Sequence, residues 1–242
     1  MLNDWAYHLI VSILEAFMWD GELEGGENLK PGPGVIVANH MGSIGPVGIC
    51  SSLPMRVYPW VLGATVDKVE GPDRVRKDFV EKIIKIKPPL SMTIAKGICK
   101  ISNPLLLGLG CIPVPVSHEA QVATFETSIT LLKTGKFLLI VPEDPDADAD
   151  PLTGMRPFKR GFLRLGELYS RETGERLAFY PTVIHEAGLV IVGQPIQYNP
   201  LNEPKTERFR MVNLLEATIK AMHLEVTESR ELQPVFFKHK TS

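Results

Sequence analysis

Apolar and polar positions along this chain follow two alternating rhythms. Ala6, Leu9, Ile10, Ile13, Leu14 and Phe17 recur at steps of three and four, which places them on one face of a helix. Asp4 is positioned to cap that helix at Trp5. Trp5, Tyr7 and Trp19 flank the face as interfacial aromatics do. The pattern fits a helix docked on a core or one lying on a membrane, although its polar face lacks the lysines usual in the second case. Turn signals follow at Gly25-Gly26 and Pro31-Gly32-Pro33-Gly34. Val35 to Ala38 is a short, wholly apolar run, the kind of strand buried on both faces of a parallel sheet. Glycines at 42, 45 and 48 come next, with a helix to about Ser52, and residues 57–66 contain a second strand.

Further along, residues 73–87 are charged and helical in pattern. Leu90 to Ile112 carries no charge except Lys96 and Lys100. Cys111 to Val116 reads as a strand interrupted by Pro113 and Pro115. Glu119 to Lys133 predicts a helix with Val122, Phe125, Ile129 and Leu132 on one side and Gly135 as its stop. Phe137 to Val141 is another buried strand, and Asp144 to Gly154 is an acidic loop. A helix over Phe158–Tyr169, a strand over Leu177–Ile184, a strand pair around Gly193 and an amphipathic helix over 204–229 complete the chain. Strands alternating with helices give an α/β fold: a mostly parallel central sheet flanked by helices. The expected division is an N-terminal amphipathic helix over 1–24 and an α/β domain over 25–242.

Composition narrows the function classes. With 242 residues and 44% hydrophobic positions, the chain can build one sizeable core. Three cysteines without a Cys-x-x-Cys pair support neither a disulfide framework nor a zinc site. Met1 to Glu15 has no basic n-region of a secretory signal, and no run of 18 apolar residues marks a membrane span. A net charge of −2 gives no global pull toward nucleic acid. That small total hides a net −6 over residues 1–29 against +6 over residues 30–100. The basic block suits a phosphate-bearing substrate or an anionic headgroup layer as well as a solvated face.

The chemistry centres on Asn39-His40. A histidine directly after a buried strand lies where open α/β sheets place their ligands, and it can act as a general base. Val141-Pro142-Glu143-Asp144 puts carboxylates at the end of another buried strand, and Arg156, Lys159 and Arg160 offer cations for a phosphate. Met41-Gly42-Ser43-Ile44-Gly45 approximates a nucleophile elbow, with His185 as a downstream triad histidine, but Met41 breaks the pattern. Lys133-Thr134-Gly135-Lys136 lacks the first glycine of a phosphate loop. The alternating Asp144, Asp146, Asp148 and Asp150 lack the glycine and glutamate of a calcium loop, so no metal is expected.

Taken together, these segments resemble the glycerolipid acyltransferase family, which includes the 1-acylglycerol-3-phosphate acyltransferases. The similar pieces are Gly26 to Leu29 with Pro33 to His40, then Val141-Pro142-Glu143, Pro157 to Gly161, Tyr180 to Ile184 and Gly193 to Ile196. The resemblance runs from about residue 20 to 200. It implies acyl transfer from a thioester donor, acyl-CoA or acyl carrier protein as co-substrate with no bound cofactor, to a hydroxyl of a lysophospholipid or glycerol-phosphate-like acceptor. His40 would be the base, and Asn39, Ser43, Gly45, Arg156, Lys159 and Arg160 would contact substrate. A peripheral association with the cytoplasmic face of a membrane follows, with residues 90–112 as an acyl-chain wall or a membrane-contacting helix. The sequence departs from the family pattern at three places. Gly45 stands for the aspartate of His-x4-Asp, Val116 for an arginine, and Asp144 for the glycine after Pro-Glu. Glu143 or Asp67 is the expected replacement for the missing aspartate. A catalytically reduced lipid- or thioester-binding protein and a serine hydrolase using Ser43 are the alternatives.

Overall fold

The structure, a computed structural model, describes residues 2–42, 45–82, 84–115, 117 and 121–231. Its spine is β2 (Gly34–Ala38), buried along its whole length. On one side it pairs in parallel with β5 (Phe137–Ile140), and on the other in parallel with β6 (Ala178–His185). Outward from β5 lie β3 (Val57–Leu62) and β4 (Ile112–Val114), both parallel. Beyond β6 lies β7 (Leu189–Val192), antiparallel, and then β1 (Glu22–Glu24), parallel to β7. The strand order is β1-β7-β6-β2-β5-β3-β4, so the expected mostly parallel α/β sheet is present. Strand β1 draws residues 22–24 into that sheet, ahead of the boundary expected at residue 24.

Strand alternation sorts the core into two layers. Val35, Val37, Leu138, Ile140, Phe179 and Val183 face α6 (Gln121–Lys133), α7 (Arg164–Thr173) and α8 (Pro204–Glu231). Ile36, Ala38, Leu139, Tyr180 and Ile184 face α2 (Gly45–Ser52) and the ring of Trp19. Gly34 is required where the central strands meet, because a Cβ there would lie 2.5 Å from the Phe137 ring and 2.6 Å from Tyr180.

Several local expectations change. Helix α1 (Asp4–Met18) is capped by Asn3, whose side chain accepts from the Ala6 N–H, while Asp4 turns to Arg56. Tyr7 and Trp19 are buried, and only Trp5 of the three aromatics is open, at 72% exposure. Gly21 and Gly48 make this possible: the Trp19 ring lies where their Cβ atoms would be, and its Nε1 donates to Ser52. The glycine at 48 therefore makes room for Trp19. Tyr7 and Val11 form the buried side of α1, whereas Leu9 and Ile13 point outward. The helix expected over 73–87 is α4 (Glu70–Val75) running into a π-helical turn over Arg76–Glu81. The helix expected from Phe158 begins later, as a 3₁₀ turn over Gly161–Leu163 leading into α7. The strands on either side of Gly193 do not pair with each other. Strand β7 and β8 (Ile196–Gln197) both run antiparallel along β6, at opposite ends of its edge. Pro195 between them lacks the N–H that would continue the ladder.

One residue bolts α1 to the sheet and to α5 (Leu90–Leu109). Arg56, 8% exposed, donates to the carbonyls of Leu2 (2.8 Å) and Leu109 (3.0 Å) and to Asp4 (2.9 Å). Its guanidinium lies between the Tyr7 and Tyr58 rings, 4.8 and 4.9 Å from their centroids. Replacing it with methionine strands two carbonyls. Arg56→Met should lower unfolding stability by about 3 kcal/mol in a denaturant titration. Asp4→Asn, at the exposed end of the pair, should lower it by less than about 1 kcal/mol.

Candidate functional site

Register places the chemistry. Val37 pairs with Ile140 and Ala38 with Thr182, so the chain leaving β2 runs level with the ends of β5 and β6. Asn39 is buried and acts as a substitute strand residue. Its Nδ2 donates to the Ile184 carbonyl (3.0 Å), and its Oδ1 accepts the Ile184 N–H (2.8 Å). The amide expected to touch substrate is thus committed to β6. His40 follows it, exposed at the carboxyl edge of the sheet.

Glu143 stands beside it at the end of β5. One carboxylate oxygen accepts the His40 main-chain N–H at 2.7 Å, and the other accepts the Arg156 N–H at 3.0 Å. A narrow antiparallel ladder supports that glutamate. Asp144 N–H donates to the Pro157 carbonyl and Lys159 N–H to the Pro142 carbonyl, which frames the bridge between Glu143 and Phe158. The Val141-Pro142-Glu143 and Pro157 to Gly161 segments therefore meet in space. Among the described residues, no carboxylate hydrogen-bonds the His40 ring.

The remaining expected residues are placed as follows. Arg156 donates through Nε to the Ala147 carbonyl, Lys159 pairs with Asp144 at 3.0 Å, and Arg160 is exposed just before the 3₁₀ turn. Asp67 lies two strands from β2, past β3, after α3 (Gly63–Val66). Its carboxylate accepts the Val69 and Glu70 N–H groups at the start of α4, and those two amides hold its pKa below the ordinary value. Gly45 begins α2, and a Cβ on it would meet only ordinary contacts, Met41 Cβ at 3.5 Å and Ile184 Cγ2 at 3.8 Å. Ser43 and Val116 lie outside the described residues.

A second polar group was not foreseen. Glu216, Lys220, His223 and Thr227 fall on one stripe of α8, at steps of four, three and four. Glu216 accepts the Phe158 N–H, and Lys220 pairs with Glu216 and with Asp150 of the acidic loop. The His223 ring packs against that of His185, tilted 56° to it with centroids 4.8 Å apart. His185 Nδ1 accepts the Ala187 N–H, so its Nε2 carries the proton and donates to Thr227 Oγ1 at 3.2 Å. These contacts occupy the histidine read from sequence as a triad partner. The stripe's spacing was visible in the helix pattern, but its partners are on other elements.

Burial, then the neighbouring His185, lowers the His223 pKa, against the opposing charges of Glu186 and Glu143. The charge of Glu143 is thus felt from α8 as well as from β2.

No model of a known protein family matches the chain, and none of the curated proteins compared with it does. Among solved structures, the crystal structure of the 1-acyl-sn-glycerophosphate acyltransferase PlsC from Thermotoga maritima matches with a TM-score of 0.53 and 14% identity. The match covers 92% of this chain and 79% of that one.

Two predictions follow from the site's supports. Asn39→Ala leaves a buried N–H and a buried carbonyl of Ile184 unpaired, and should cost about 2–4 kcal/mol in a denaturant titration. His223 is depressed in the folded state, so folding favours its neutral form. Its contribution should be full above the ordinary histidine value of about 6.5 and lost as pH falls from there through the lower folded pKa. Stability measured across that window should fall less steeply in His223→Gln than in the wild type. Its tight neighbours are His185 and Thr227, so the comparison is the slope with pH, not the absolute stability. The fold is similar to that of an acyltransferase structure.

Proposed function

We propose that the protein transfers a fatty acyl group from a thioester donor, acyl-CoA or acyl carrier protein, to a hydroxyl of a lysophospholipid or glycerol-phosphate-like acceptor. The observation that carries this reading is the exposed His40 at the carboxyl edge of the central strand, its main chain fixed by Glu143. The likeness to an acyltransferase fold supports it. In the proposed step, His40 takes the acceptor's hydroxyl proton as that oxygen attacks the thioester carbonyl carbon. The tetrahedral intermediate collapses, the C–S bond breaks, and the thiolate leaves with the proton from the imidazolium. Glu143 acts as a positioning residue, holding His40 and the Arg156 segment in one frame. Arg160 and Lys159, exposed beside that frame, supply positive charge for an acceptor phosphate.

A lysophospholipid acceptor resides in a bilayer. No helix among the described residues is long and apolar enough to cross a membrane. The reading is therefore of a protein working from a membrane surface. The outward Trp5, Leu9 and Ile13 of α1, one turn apart, support contact there.

A second reading has its own observation. With Gly45 in the helix start and no carboxylate on the His40 ring among the described residues, the site can bind lipid or thioester with little turnover. One assay separates the two: thiol released from acyl-CoA with a lysophospholipid acceptor. Transfer predicts release that depends on the acceptor and falls by about 10²-fold or more in His40→Ala. Thioester binding without release across several donors and acceptors would replace it with the binding reading. Release that ignores the acceptor would mean hydrolysis.

A further inference from the structure

Helix α5 has two unlike faces. Its inner face is made of small residues, Ser91, Ala95, Cys99 and Asn103, all buried. Its outer face carries the bulk: Leu90 and Ile101 are 57% and 74% exposed, and Ile94, Ile98 and Leu105 are partly exposed. At 3.6 residues per turn these five apolar residues fall in one stripe about 80° wide. Lys96 and Lys100, both exposed, lie together on the same outward side of the helix, about 80–120° round from the stripe's edge, with exposed Thr93, Gly97 and Pro104 between.

Charge identifies the occupant. From Lys82 to His118 the chain carries five lysines and no carboxylate. Lys82, Lys85 and Lys87 are exposed in the segment that leads into the helix. A second copy of this chain placed on the same face would bring these lysines against their own kind. A layer of negative headgroups above an apolar interior matches an apolar stripe with the lysines set further round the helix, where their long stems can reach up to the phosphates. A helix of this length covers about 30 Å of such a surface when it lies in the plane.

We propose that the outer face of α5 docks in the plane of a bilayer containing anionic lipid. This rests on the lipid acceptor of the proposed function and names the surface that would deliver it. The test is co-flotation of the full chain with vesicles of phosphatidylcholine alone and of phosphatidylcholine mixed with phosphatidylglycerol. The wild type should float with the mixed vesicles, and added salt should weaken that binding. Ile101→Asp should weaken it by about tenfold or more, and Lys96→Gln with Lys100→Gln by roughly tenfold. Ile101 is largely exposed, so circular dichroism of these variants should match the wild type. Absence from every vesicle overturns the proposal. So does equal binding by Ile101→Asp, or a concentration-dependent dimer that Ile101→Asp abolishes without vesicle binding. Wild-type transfer to a short-chain, water-soluble acceptor is measured alongside. Transfer without flotation removes the docking face and leaves the function, and flotation without transfer does the reverse.

Discussion

The carboxylate of Glu143 is the constraint on which the site depends. Its two oxygens accept two main-chain N–H groups from segments that the sequence separates widely, His40 after β2 and Arg156 after the acidic loop. A carboxylate held this way works as a clamp. It sets the height of the imidazole's backbone against the segment that carries Lys159 and Arg160. Hydrogen bonds to a charged acceptor are the stronger ones, and here both converge on one half-buried group. The ladder beneath it and Glu216 on the Phe158 N–H make the clamp's own position firm.

Around that clamp the fold recruits elements from the whole chain. Asn39 ties the end of β2 to β6 with both ends of its amide. Helix α8 reaches the same edge with Glu216 and Lys220 on the loop and with His223 and Thr227 on His185. Arg56 does the corresponding task at the other side, joining α1, β3 and the end of α5. Buried polar groups of this kind cost desolvation and need every partner in place. Together they hold this edge of the sheet in one arrangement.

The strands were legible because their signals are local. Val35 to Ala38 and Phe137 to Val141 are short apolar runs, and burial on both faces of a parallel sheet leaves few other options for such runs. The proximity of His40 and Glu143 could be expected from the rule that strands of a parallel sheet end at one edge. What Glu143 does there could not, because a carboxylate can bind a ring or a backbone amide, and only register and loop geometry decide. Asp67 shows the same limit: the missing motif aspartate made it a candidate, while the two N–H groups at the start of α4 claimed it. Trp19 and Tyr7 look interfacial by spacing, yet Gly21 and Gly48 open a seat that draws Trp19 inward. The pairing of β7 and β8 along β6 was hidden because a one-strand turn around Gly193 and a shared long partner have the same local pattern.

Gly45 offers the most direct test of His40 as the base. A side chain fits there with ordinary contacts, on the residue whose N–H donates to the Met41 carbonyl at 3.0 Å, one turn from the histidine. The measurement is acceptor-dependent thiol release by Gly45→Asp, alone and combined with His40→Ala. If His40 is the base and an aspartate at this position reaches its ring, the rate should rise by at least about tenfold, since orienting a catalytic imidazole can be worth far more, and the gain should vanish without His40. A gain that persists in the His40→Ala background, or no gain in a variant that folds as the wild type does, would contradict the account.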